Sequence, residues 1–161
     1  MRRKVTLGAL AGMVLALVYA GVTQATDGRG DHDLVIRVIS RATPVNDFVD
    51  TGAPGSTPGD LYVFSDRLFS PSAPSRQIGT VDGHCVLIQP AELRFDCSLT
   101  TRFAEGDIVS AGTIRLVEGT TSVGAITGGT GAYENARGEG ALKLGPLAGP
   151  HEATYFLILR R

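Results

Sequence analysis

Hydrophobic positions in this chain come in short runs rich in Val, Ile, Thr, Tyr and Phe, and turn residues separate them. The clearest run is Leu34-Val35-Ile36-Arg37-Val38-Ile39; others cover residues 61–69, 76–81, 84–89, 93–103, 107–117, 122–127, 141–144 and 152–159. Bounded by turns such as Asp82-Gly83, Glu105-Gly106 and Gly145-Pro146, runs of this kind predict β-strands. Residues 43–59 break the pattern. Pro44 stands near the start, and Thr51-Gly52-Ala53-Pro54-Gly55-Ser56-Thr57-Pro58-Gly59 closes a loop of a length that is usually functional or mobile. Only residues 133–137 suit a helical turn. Eight or nine strands with no helix to cover a sheet predict an all-β antiparallel barrel or sandwich. Glycine, 21 of 161 residues, supplies the bends that closure of a barrel requires. The expectation is an all-β, eight-stranded antiparallel β-barrel, whose interior is wide enough for one small ligand.

Ahead of the first strand, Arg2, Arg3 and Lys4 precede an apolar-to-small stretch over residues 5–22, and no acidic residue occurs before Asp27. Thr23-Gln24-Ala25 offers small residues at a cleavage point, and Val18-Tyr19-Ala20 offers a second. This is the three-part layout of a secretory signal peptide. The alternative is an uncleaved anchor, since the apolar stretch is just long enough to span a bilayer. The expected organisation is a signal peptide over residues 1–25 and one barrel domain over residues 26–161. The protein is then secreted and extracellular, with no stable membrane association after cleavage. The whole chain carries 15 basic and 16 acidic residues, and losing the leader removes three positive charges. A mildly acidic domain argues against a nucleic-acid partner.

The two cysteines fit export. Cys85 and Cys97 flank Pro90-Ala91-Glu92, and a hairpin symmetric about Ala91 pairs residues whose numbers sum to 182. That register sets Cys85 opposite Cys97, with Leu87, Gln89, Leu93 and Phe95 on the same face. Opposed Cα atoms in a non-hydrogen-bonded pair lie about 4.5 Å apart, within disulfide range, and an oxidising compartment lets the bond persist. A metal site with His84, or a Cys–His nucleophile using His84 or His151, lacks the ligand or partner spacing such sites need. No metal is expected.

Two segments carry more. Gly59-Asp60-Leu61-Tyr62-Val63-Phe64-Ser65-Asp66-Arg67-Leu68-Phe69 leads into Ile78-Gly79-Thr80-Val81-Asp82-Gly83-His84-Cys85-Val86-Leu87-Ile88, and later comes Ala125-Ile126-Thr127-Gly128-Gly129-Thr130-Gly131-Ala132-Tyr133-Glu134-Asn135-Ala136-Arg137-Gly138. Together they resemble the allene oxide cyclase-like barrel family, and the second resembles the glycine-rich hallmark of the related dirigent proteins. A dinucleotide loop does not fit these glycines, because the third glycine position falls at Glu134 and no βαβ unit is present. They are read as structural, permitting positive φ and close backbone approach. Tyr133 then plugs one end of the barrel, and Arg137 anchors the turn or faces the mouth.

The resemblance implies eight-stranded barrels, assembled as a homotrimer or homodimer, that direct cyclisation of a reactive lipid epoxide or the stereoselective coupling of phenoxy radicals. Bacterial members include cyclases of polyketide pathways. Phe64 and Asp66 fall at the family's cavity aromatic and cavity polar group, and Cys85 at its cavity cysteine. Cys97 stands where the plant cyclases usually have alanine. The catalytic glutamate of the first strand has no counterpart, its place taken by Val38, and Thr43-Pro44 stands at the mouth serine-proline. In these activities the barrel holds a reactive molecule in a near-attack shape, so no cofactor is called for.

On residues 61–69 one face comprises Tyr62, Phe64, Asp66 and Leu68. An acid between aromatics that faces a cavity is costly unless paired or protonated. Asp66 is the candidate polar contact or acid/base group; the plainer reading is an Asp accepting loop hydrogen bonds at the rim. Phe64, Tyr62, Tyr133 and Arg137 are the candidate substrate-contacting residues. Arg115 either pairs with a cavity acid or lies solvated on the outer wall. The expected function is an exported barrel that binds a small apolar molecule and guides its cyclisation or coupling, an isomerase or cyclase acting by positioning. The alternative is a non-catalytic carrier, or a scaffold whose interior is filled by Phe64, Tyr133 and Phe156. One measurement checks the export reading: intact mass on culture supernatant should give a chain beginning at Thr26 or Gly21. A full-length chain retained in membranes contradicts it.

Overall fold

A computed structural model describes residues 34–146 and 152–160, so the leader expected over residues 1–25 lies outside the described residues. The chain forms strands β1 (Leu34–Arg41), β2 (Asp47–Val49), β3 (Leu61–Ser70), β4 (Ala73–Gln89), β5 (Arg94–Phe103), β6 (Gly106–Arg115), β7 (Thr121–Gly129), β8 (Arg137–Leu144) and β9 (Glu152–Arg160). One antiparallel sheet runs in the order β1-β9-β8-β7-β6-β5-β4-β3, and β1 also pairs with β3, which closes eight strands into a barrel. The short β2 is a ninth strand outside that count. It takes the part of the β3 edge that β1 leaves free, with Phe48 opposite Tyr62.

Alternation along the strands sorts the side chains. Val38, Leu68, Val81, Ile108, Ile126 and Leu157 point inward and are buried, filling one half of the barrel. At that end Gly131 has φ +58°, and a Cβ there would sit 2.4 Å from the Glu105 carbonyl oxygen, so only glycine fits. The glycine-rich segment folds back on the β5–β6 turn, with the Ala132 N–H donating to the Glu105 carbonyl at 2.9 Å. Tyr133 packs on Phe103 with ring centroids 5.9 Å apart and closes this end.

The β4–β5 hairpin keeps the expected register from Gly79 opposite Phe103 to Leu87 opposite Phe95, and Cys85 pairs with Cys97 through a disulfide. Three features differ from expectation. Residues 76–81 and 84–89 belong to a single strand, because Asp82 and Gly83 are paired on both sides, to β3 and to β5. Glycine is needed at 83 for space: a Cβ there would lie 2.5 Å from the Phe64 ring. At the hairpin tip the register slips by one, Gln89 facing Arg94, and Leu93 adopts the left-handed conformation at φ 48° after a 3₁₀ turn at Pro90–Glu92. The other 3₁₀ turn is Gly131–Tyr133, ahead of residues 133–137, and Arg137 already opens β8. Neighbouring strands supply the ladder there despite Gly138 and Gly140.

The breaker-rich loop is organised around Asp60. Its fully buried carboxylate accepts the Thr51 N–H at 3.0 Å, the Thr57 N–H at 2.7 Å and the Thr57 hydroxyl at 3.1 Å. Its backbone carbonyl accepts the Leu87 N–H at 2.8 Å, which ties the loop to β4. The backbone donors of Thr57 and Thr51 hold the Asp60 carboxyl below its usual range. A lowered folded value means that this stabilisation is present above about pH 4, the ordinary Asp range, and is lost as pH falls through the folded value. Asp60→Asn should therefore lower Tm near neutrality, and its deficit should shrink below about pH 4; Tm measured across pH 2–7 checks this, and a pH-independent deficit contradicts it. For the disulfide, thiol counting on the denatured, unreduced protein should find no free thiol. Opening a 12-residue separation should cost about 3 kcal/mol or less by the chain-entropy estimate, read from denaturant curves of Cys85→Ala/Cys97→Ala.

Candidate functional site

The other half of the barrel is hollow. A cavity of about 380 Å³ opens at the end where the β4–β5 and β6–β7 connections lie and β8 finishes, with Leu93, Leu116 and Leu144 at its mouth. Its walls are mostly apolar. Phe48, reaching in from β2, meets Phe95 edge-on at 6.3 Å. On β3 the expected face points inward: Tyr62, Phe64 and Asp66 all line the cavity. Gly83 leaves room for the Phe64 ring to lie flat on the wall, where it stacks with Tyr62 at 5.5 Å between centroids and 23° between planes. Cys85 also lines the wall, but as half of the disulfide it offers no thiol.

One polar cluster interrupts the apolar lining. The Asp66 carboxylate accepts the Ser40 hydroxyl at 2.7 Å and the Asn46 amide N–H at 2.8 Å. Asn46 also donates to the Tyr62 hydroxyl oxygen at 3.2 Å, and the Tyr155 hydroxyl lies close to Ser40 and Asp66. Asp66 is therefore both a cavity group and an acceptor of a loop hydrogen bond, which joins the two readings that the sequence left open. Burial first, then the Asp66 charge, pushes the Tyr155 hydroxyl far above the ordinary tyrosine range. Burial raises Tyr62 as well, opposed by the Asn46 bond and aided by Asp66. Both phenols are thus neutral hydroxyls at physiological pH.

The remaining candidates lie elsewhere. Tyr133 sits at the closed end, and the exposed Arg137 donates to the Ala136 carbonyl at 2.7 Å; neither reaches the cavity. Arg115 is solvent-exposed on the outer wall. Phe156 faces outward beneath the Arg37 guanidinium, 5.2 Å from its ring centroid, and does not fill the interior. Val38 is fully buried, so the first strand presents no acid at that position. His84 is exposed, and His151 lies outside the described residues. Among the described residues no group of three or more His, Cys, Asp or Glu side chains could hold a metal ion. Tyr155, Ser40 and Asn46 were not anticipated. Tyr155 had a readable signal: it shares strand parity with the inward Leu157 and Leu159, whereas Phe156 does not.

The comparisons agree with this architecture. A family model described as allene oxide cyclase barrel like domain matches residues 42–154. Among solved structures, the chain is similar to a pyocyanin demethylase at 27% identity, covering 77% of this chain and 98% of that one with a TM-score of 0.63. A pterocarpan synthase dirigent protein is similar at 18% identity, over 80% and 84% of the two chains with a TM-score of 0.68. A Diels-Alderase from Streptomyces koyangensis is similar at 21% identity, over 79% and 64% with a TM-score of 0.63. Among curated protein sequences, none matches. The family match covers well over half of the sequence, and with the closed eight-stranded barrel beneath it the chain belongs to the allene oxide cyclase barrel-like family.

Proposed function

We propose that the protein is an exported barrel that takes a small apolar molecule into its open end and guides its cyclisation or stereoselective coupling. The single observation that carries this is the half-hollow interior: about 380 Å³ of mostly apolar space with one polar cluster at its wall. Ligand sites typically span about 300–1,000 Å³, lined by hydrophobic and aromatic groups with a few placed polar ones. The neighbouring structures support the reaction class, since they include a dirigent protein and a [4 + 2] cyclase of the same fold. The disulfide on the inner wall supports export, because such bonds persist in oxidising compartments.

In this reading the chain works by positioning. Tyr62 and Phe64 form a flat aromatic wall against which an unsaturated or aromatic substrate lies. Asp66 supplies a fixed hydrogen-bond acceptor, oriented by Ser40 and Asn46, and acts as base where a proton must move. Tyr62 and Tyr155 present neutral hydroxyls beside the substrate. Excluding water and pre-setting the reactive shape removes much of the entropic barrier. Tyr133 and Arg137 act indirectly, by holding the closed end.

A neutral hydrocarbon probe, 1,6-diphenyl-1,3,5-hexatriene, tests the reading by fluorescence and thermal shift. The wild type should bind it saturably. Phe64→Ala should weaken binding about tenfold, roughly 1.4 kcal/mol of lost aromatic contact. Asp66→Asn should bind the probe within about twofold and fold within about 0.5 kcal/mol of wild type, because its amide can donate to Ser40 while its carbonyl still accepts from Asn46. No saturable binding to the wild type, or wild-type binding by Phe64→Ala, contradicts the site.

A further inference from the structure

We infer that this cavity selects flat aromatic ligands bearing a cationic or N–H-donating nitrogen, which sits against Asp66, and that it discriminates against carboxylates. The inference rests on the cavity being a ligand site, as proposed above, and adds the chemical class of what enters. Its basis is the charge inventory of the wall. Among the described residues, the charged side chains that line the cavity are Asp66 and Glu152, and no Lys, Arg or His lines it. Glu152 lies at the mouth and is paired with Arg41 at 2.6 Å. The Arg41 guanidinium is in turn engaged with the Pro74 carbonyl at 2.8 Å and lies 4.5 Å from the centroid of the Phe69 ring. It is held off the cavity, so it offers an incoming anion no counter-charge inside.

Asp66 has capacity left. An ionised carboxylate offers about four acceptor positions, and Ser40 and Asn46 occupy one on each oxygen. Two remain for a donor from the ligand. Tyr62 and Phe64 precede Asp66 on the same face of β3, so a flat ligand whose nitrogen reaches Asp66 lies along their stacked rings. A carboxylate in the same place meets a like charge in a half-buried setting, where screening is weak. The Tyr62 oxygen accepts from Asn46, so its O–H can still donate, but a neutral phenol does not cancel the like charge that Asp66 presents. A fatty-acid-like substrate oriented by its carboxylate is thereby disfavoured, whereas an amine or nitrogen heterocycle is accommodated.

Three probes of one skeleton test this: 2-naphthylmethylamine, 2-naphthylmethanol and 2-naphthoate, each competing with 1,6-diphenyl-1,3,5-hexatriene at neutral pH. The wild type should bind the ammonium at least about tenfold more tightly than the carboxylate, with the alcohol between them. Asp66→Asn should collapse that ratio by about tenfold and leave the alcohol unchanged. Phe64→Ala should weaken the ammonium and the alcohol together. Equal wild-type affinity for ammonium and carboxylate, or a ratio that survives Asp66→Asn, overturns the inference while leaving the cavity as a ligand site. If the neutral probe itself does not bind, the inference falls together with the proposed function.

Discussion

Closure of the barrel depends on how the edge of β3 is satisfied. β1 pairs with β3 only as far as Arg41 opposite Arg67, and β2 resumes the pairing at Asp47 opposite Val63. Ser65 falls in the gap, where a sheet edge would leave backbone groups unpaired at a cost. Two side chains stand in for the missing strand. The Asn46 carbonyl accepts the Ser65 N–H at 3.2 Å, and the Thr43 hydroxyl donates to the Ser65 carbonyl at 2.6 Å. The same Asn46 turns its amide nitrogen toward Asp66 and Tyr62. The residue that seals the wall therefore also orients the polar cluster, and the seam and the site stand or fall together.

The division of the interior follows from side-chain size and backbone approach. At the closed end, glycines let the Gly128-Gly129-Thr130-Gly131 segment lie directly on the β5–β6 turn, and branched aliphatic side chains fill what remains. At the open end β3, β4 and β5 contribute flat rings and a disulfide to a wall that Ile114, Leu142 and the mouth leucines complete. Phe64 lies along the wall because residue 83 has no side chain. Flat groups pressed to the wall leave space at the centre, where branched ones would fill it.

The polar cluster is small, and each member restrains another. Asp66 is held by donors from β1 and from the loop before β2, while Tyr155 approaches the same group from β9. Such a network keeps each group in one orientation without an ion pair. A cavity that acts by positioning gains from this, because fixed dipoles need no reorganisation when a substrate changes shape.

Local pattern was enough for several features. Alternation on residues 61–69 set Tyr62, Phe64 and Asp66 on one face, and the symmetry of a short hairpin set Cys85 opposite Cys97. Both are near-neighbour properties, dictated by the two-residue period of a strand and the length of a turn. What tertiary structure alone decided involves residues far apart in sequence. Asp82-Gly83 reads as a turn locally, yet ladders on both sides hold it in one long strand. Asp60 looks like the end of a flexible loop, yet four donors from Thr51 and Thr57 converge on it. Ser40, Asn46, Asp66 and Tyr155 meet only because β1 closes against both β3 and β9. No period along the chain encodes that closure, since it is set by pairing between the two ends of the sheet.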